Sequence, residues 1–176
     1  MTRFAIVSMK RDYIDFQERS FPVAFLITIR CYGTWLHGDD RGSVDRIEFN
    51  KYGLPKIPGN DRLVDYRLGQ MLDEPMKLTA KRRRAVEGAI REFSEFRKIT
   101  LHAINVRTNH AHVVVAAGYA PEKLMGSMKA YATRRLRSEG LISESAKVWS
   151  RHGSTRYLWT EDHIWKACEY VISGQG

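Results

Sequence analysis

Residues 99–117 read ITLHAINVRTNHAHVVVAA, and their alternation decides the fold. Two runs rich in β-branched residues, 99–107 and 110–117, are separated by Thr108-Asn109, which predicts two strands joined in a tight hairpin. In that register Arg107 faces His110 and Asn105 faces His112 across the ladder. A period of two sets His110 and His112 on one face of their strand, while Ala111, Val113 and Val115 point the other way into packing.

Working outward, residues 22–31 (PVAFLITIRC) read as a first strand ending at Tyr32-Gly33. Residues 32–75, dense in Gly, Asp, Pro and Asn, form a long loop insertion or lid. Thr79 caps a helix over about 79–97 with Arg82, Val86, Ala89, Ile90, Phe93 and Arg97 on one face and Lys81, Arg84 and Arg91 pointing away. A second amphipathic helix at about 122–138 carries the stripe Leu124, Met125, Met128, Tyr131, Ala132 and Leu136 and is closed by Gly140. Residues 147–159 supply the last strand, and Thr160 caps a final helix over 161–172.

The order β, α, β, β, α, β, α predicts an α+β chain with a ferredoxin-like βαββαβ sheet and helices on one face. To this it adds a C-terminal helix and the loop insertion after the first strand. A length of 176 residues suits one domain, placed at 21–176 after a lead-in of residues 1–20.

Composition narrows the partner. Lys plus Arg number 29 and Asp plus Glu 20, a net charge of +9 with a pI near 9.7, and 11% of residues are aromatic. A chain so supplied folds a core rather than remaining disordered. The excess is uneven: residues 76–137 carry 14 basic and 4 acidic side chains, the rest 15 and 16. A polyanion is the expected partner, against the plainer reading of a solvated basic surface. Cys31 and Cys168 stand far apart with no CxxC neighbour, which argues against a zinc knuckle or disulfide framework and fits a reducing cytoplasm. No apolar run suits a secretory leader or a membrane span.

Two imidazoles one residue apart on a strand can chelate one metal ion, and equally suit plain hydrogen bonding in a half-buried sheet. His102 falls on the opposite face in this register, and His37, His152 and His163 lie in loops or at a helix start, where solvated or capping roles fit. A tyrosine close to the pair could attack a phosphodiester and store its energy as an ester. Tyr131 lies within an apolar stripe, and Tyr170 stands on the flank of the stripe Ile164, Ala167, Cys168 and Val171. Periodicity leaves both open.

The motifs YGTWLHGDDRG (32–42), LHAINVRTNHAHVVV (101–115), LMGSMKAYATRRL (124–136), HGSTRYLW (152–159) and EYVISGQG (169–176) together resemble the single-tyrosine transposases of the HUH nuclease superfamily. The likeness is nearest the REP-associated branch with its IS200-like transposase domain, and it runs from about residue 22 to the C-terminus. It implies that His110 and His112 bind Mg²⁺ or Mn²⁺ and that Tyr170 is the nucleophile. The family's third ligand is a Gln or Asn four residues after the tyrosine. Position 174 is Gly, and Gln175, one residue later, takes that role only if the helix unwinds at Gly174, because five residues turn about 500°.

The implied reaction is metal-assisted transesterification on single-stranded or hairpin DNA through a 5′-phosphotyrosine, on hairpin or repeat ends. DNA contacts are expected from Arg82, Arg83, Arg84, Arg107, Lys129, Arg134, Arg135, Arg137 and Arg156, with Trp35 or Trp159 to stack bases. The two basic helices and the hairpin would then form the track on which a strand meets Tyr170. The rival reading is a domesticated DNA-binding protein that recognises structured repeats without cutting. Relatives of this type include monomers and homodimers that build their sites across subunits, and both states fit the sequence.

Overall fold

The computed structural model describes residues 21–36, 38–40, 58–71 and 73–173. The lead-in 1–20, much of the 32–75 insertion, His37 and Gln175 lie outside the described residues. Strands β1 (Ala24–Cys31), β2 (Thr100–Val106), β3 (His110–Ala116) and β4 (Trp149–Leu158) form one antiparallel sheet in the order β2-β3-β1-β4. With β3 inserted between β1 and β2, this is the split arrangement expected from the element order.

Helices α2 (Ala80–Phe96) and α3 (Pro121–Ser138) cover one face of the sheet. The Thr79 hydroxyl accepts from the Arg82 amide at 3.4 Å at the start of α2, and Val86, Ile90 and Phe93 pack against Phe25, Ile27, Val113 and Met128. Each large apolar side chain so buried stabilises the fold by roughly 1.5–3 kcal/mol. Gly140 closes α3 in the left-handed region (φ 63°), and the Leu141 amide then donates back to the Leu136 carbonyl at 2.9 Å.

Helix α4 (Glu161–Ile172) lies on the opposite face, where Ile164, Ala167 and Val171 bury against Ala24, Ala103, Val114 and Leu158. Thr160 caps it, accepting from the His163 amide at 3.2 Å, and Glu161 and Asp162 complement the helix dipole. The central strands are therefore apolar on both sides. At one end of this second face the apolar cover gives way to polar groups, and there the sheet presents Thr28, Arg30, His110 and His112.

The insertion contains a helix that composition does not announce, α1 (Asp61–Gly69), capped by the Asn60 side chain accepting from Leu63. It is nine residues long and buries none of them fully, with Leu63, Val64 and Leu68 too few to set an apolar period by which it could have been read. Gly153 on β4 stands where a Cβ would come within 2.2 Å of the Thr28 carbonyl and 2.7 Å of Met125 Sδ. A side chain there would push β4 off β1. Among the described residues, no helix is long and apolar enough to cross a membrane.

Candidate functional site

Strand alternation turns His110 and His112 to the α4 side of β3, and their rings lie 4.6 Å apart between centroids. Each ring is fixed from behind. His110 Nδ1–H donates to Asn109 Oδ1 at 2.7 Å, and His112 Nδ1 hydrogen-bonds Thr28 Oγ1 at 2.9 Å, Thr28 being its register partner on β1. His112 is only 7% exposed. Burial, and then the positive field of His110, Arg30 and Arg107, pushes its pKa down to about 4, so its imidazole is neutral near pH 7.

Tyr170 reaches this pair from α4. Its ring is 46% exposed and meets the His112 ring edge-on at 5.6 Å between centroids. The helix end that carries it is tied to the hairpin, because Asn105 Nδ2 donates to the Val171 carbonyl at 2.8 Å and Asn105 is the register partner of His112. A cleft of about 390 Å³ opens between sheet and helix, lined among others by Thr28, His112, Arg156, His163, Lys166 and Tyr170. His110, His112 and Tyr170 thus meet within a single chain. Tyr131 instead packs on Phe93 at 4.9 Å, under the Arg134 guanidinium, on the far side of the sheet.

Imidazoles whose Nδ1 atoms are already engaged would present Nε2 to a divalent ion, the usual outer-shell arrangement of a histidine ligand. Among the described residues no group of three or more His, Cys, Asp or Glu side chains comes together. The two imidazoles therefore bring no negative charge and are flanked by Arg30 and Arg107, which suits a metal ion that arrives with an anion.

The basic residues divide differently from the single track expected. Arg82, Arg83, Arg84, Lys129, Arg134, Arg135 and Arg137 belong to α2 and α3, on the opposite face of the sheet from the histidines. Several serve the fold itself. Arg82 donates to the Leu141 and Lys77 carbonyls, Arg135 pairs with Glu92 and Glu139, and Arg137 lies 3.6 Å from Glu144. Lys129 donates to the Ser150 carbonyl at 2.9 Å, and burial lowers its pKa. The residues that line the cleft come from β1, β3, β4 and α4, and none from α2 or α3.

The cations that do approach the imidazoles are Arg107, as expected, together with Arg30 and, across the cleft, Arg156 and Lys166. Arg30 is the register partner of His110, and its guanidinium sits 3.6 Å above the Trp35 ring, which brings Trp35 to the same end of the sheet. Trp159 is buried and stacked on Tyr157, unavailable to a base. His163 caps, its Nδ1 accepting from the Trp159 amide at 3.3 Å, and His102 lies exposed at an irregularity in the β2 register. Sequence reasoning missed Thr28, Asn109, Arg30 and Lys166. The signal for Thr28 was a lone hydroxyl in the apolar run AFLITI.

A four-stranded antiparallel α+β sheet with an imidazole pair on a central strand and a helix-borne tyrosine facing it defines the class structurally. The family model described as Transposase IS200 like matches residues 74–171, more than half of the chain, and the chain belongs to that family, with a transposase-type function. No curated protein matches it in a sequence search.

Proposed function

We propose that the chain, acting as one unit over residues 21–176, nicks and rejoins single-stranded DNA at hairpin or repeat ends through Tyr170. The observation that carries this reading is the meeting of Tyr170 with His112 beside His110, each imidazole anchored through Nδ1. His110 and His112 would hold Mg²⁺ or Mn²⁺ through Nε2, with Gln175 as the third protein ligand. When bound, the ion supplies Lewis-acid polarisation of the scissile phosphate.

The chain's own residues do the rest. Arg156 and Arg107 receive backbone phosphates on either side of the imidazoles, and Trp35 stacks a base at the Arg30 end. Tyr170 Oη loses its proton and attacks phosphorus. The bond to the 3′ oxygen breaks, that oxygen takes up a proton, and a 5′-phosphotyrosine remains. The ester conserves the bond energy, so the reverse attack by a 3′-hydroxyl joins strands with no nucleotide cofactor.

The test is incubation of a 3′-labelled hairpin oligonucleotide with the protein and Mn²⁺, followed by denaturing electrophoresis, since the 5′-phosphotyrosine retains the fragment on the 3′ side of the cut. A covalent adduct that disappears in Tyr170→Phe is the expected result. An adduct that persists in Tyr170→Phe rejects the nucleophile. Binding without any adduct on a cognate end favours the non-cleaving, repeat-recognising alternative.

A further inference from the structure

The cleft beside Tyr170 holds a charge that the imidazole pair and the tyrosine leave unexplained. Lys166 precedes Tyr170 by one turn of α4, which sets their side chains on the same helix face, and both line the cleft with Thr28, His112 and Arg156. One turn further back, Asp162 Oδ2 accepts from the Lys166 ammonium at 2.5 Å. Both members of this pair are at least half exposed, at 50% and 58%. An exposed pair of this kind contributes roughly 0–1 kcal/mol, so an anion entering the cleft can draw the ammonium from the carboxylate with little loss. Arg156 stands on β4 and Lys166 on α4, so the cleft is cationic from two elements while the imidazole pair brings no negative charge.

We infer that Lys166 is a phosphate-binding residue of this site, exchanging Asp162 for a non-bridging oxygen of the nucleic-acid backbone next to Tyr170. Asp162 keeps the ammonium at the cleft while no anion is there. No covalent bond changes in this exchange. The charge-assisted N–H···O bond to Asp162 is replaced by one of the same kind to the phosphate, so the exchange costs little. The inference rests on reading the cleft as a DNA site.

The experiment measures binding of a fluorescent single-stranded oligonucleotide to Tyr170→Phe protein by anisotropy across a salt series, so that no cleavage intervenes. Lys166→Gln in that background is expected to weaken binding and to reduce the log–log salt slope by about 0.7, the value of one single-strand phosphate contact. Lys166→Arg should restore most of the affinity. Asp162→Asn should tighten binding, because the carboxylate no longer competes. Opposite signs at positions 162 and 166 mark the exchange, whereas an ion pair that only supports the helix would lose affinity from either change. An unchanged slope in Lys166→Gln, or weaker binding in both variants, overturns the inference. Thermal melts of the same proteins confirm that each exposed substitution leaves the fold intact. Failure of the parent reading shows separately, as absence of a Tyr170-dependent adduct in the unsubstituted chain.

Discussion

The ring of His112 stands edge-on to the ring of Tyr170, with planes inclined at 75°, and so joins a central strand to the last helix across the sheet face opposite α2 and α3. The contact couples the position of Tyr170 to the imidazole pair. His112→Ala is expected to abolish adduct formation and to leave most single-stranded DNA affinity in place, because phosphate contacts supply that affinity. Parallel anisotropy and denaturing gels check it. An equal loss of binding would make the histidine structural.

Asn105 holds the Tyr170 turn through its bond to the Val171 carbonyl. Asn105→Ala removes one partly buried hydrogen bond, worth about 0.5–1.5 kcal/mol, and frees the end of α4. Single-turnover adduct formation should slow by about ten-fold or more, since an ångström of misplacement is costly to an in-line attack. DNA affinity should stay within about two-fold of the parent, a small effect on the scale of one contact.

Thr28 orients His112 through Nδ1. Thr28→Val keeps the shape and deletes the oxygen, and Mn²⁺ affinity in the presence of oligonucleotide should fall by about 10–100-fold, the usual result of losing a partner behind a histidine ligand. Titration calorimetry with and without an uncleavable oligonucleotide measures this. The same titration should show weaker metal binding without DNA, because the imidazole pair is joined by no carboxylate cluster among the described residues and is flanked by Arg30 and Arg107.

Acid stability follows from His112. Its pKa in the fold is about 4 against an ordinary value of 6.5, so between those values the unfolded chain binds more protons at this position. The contribution is complete above about 6.5 and is lost as pH falls toward and through about 4. Urea midpoints should decline across that window, and His112→Asn should flatten the decline. Parallel slopes in the two proteins would remove His112 as the cause.

Gly153 marks a close approach of β4, β1 and α3. Gly153→Ala should destabilise the chain by about 1–3 kcal/mol, the range for forcing a methyl group into a packed site. The measurement is a chemical denaturation curve. An unaltered midpoint would mean that β4 shifts freely.

Much of the sheet was legible because its signals are local. The alternation His110, His112, Val114 against Ala111, Val113, Val115 follows from pleat geometry alone, and the caps Thr79 and Thr160 need only the residues next to them. The α1 helix was not legible, since a solvent-facing helix has no apolar period. The placement of the basic helices was not legible either. A run of arginines records charge but not the side of the sheet a helix covers, and here Glu92, Glu139, Glu144 and backbone carbonyls engage several of them far from the cleft.

By itself, the sequence determined the order of the four strands and of the three helices packed on them, the hairpin register and the shared face of His110 and His112, all consequences of short-range periodicity. Only the tertiary structure decided which tyrosine the fold brings to that face and which cations line the cleft. Beside Thr28, Arg30, His110 and His112, the central strands keep an apolar patch of Ala24, Leu26 and Val114 on the face that α2 and α3 leave open. The packing of Ile164, Ala167 and Val171 against Ala24, Val114 and Leu158 chose the histidine side and carried Tyr170 and Lys166 there with it.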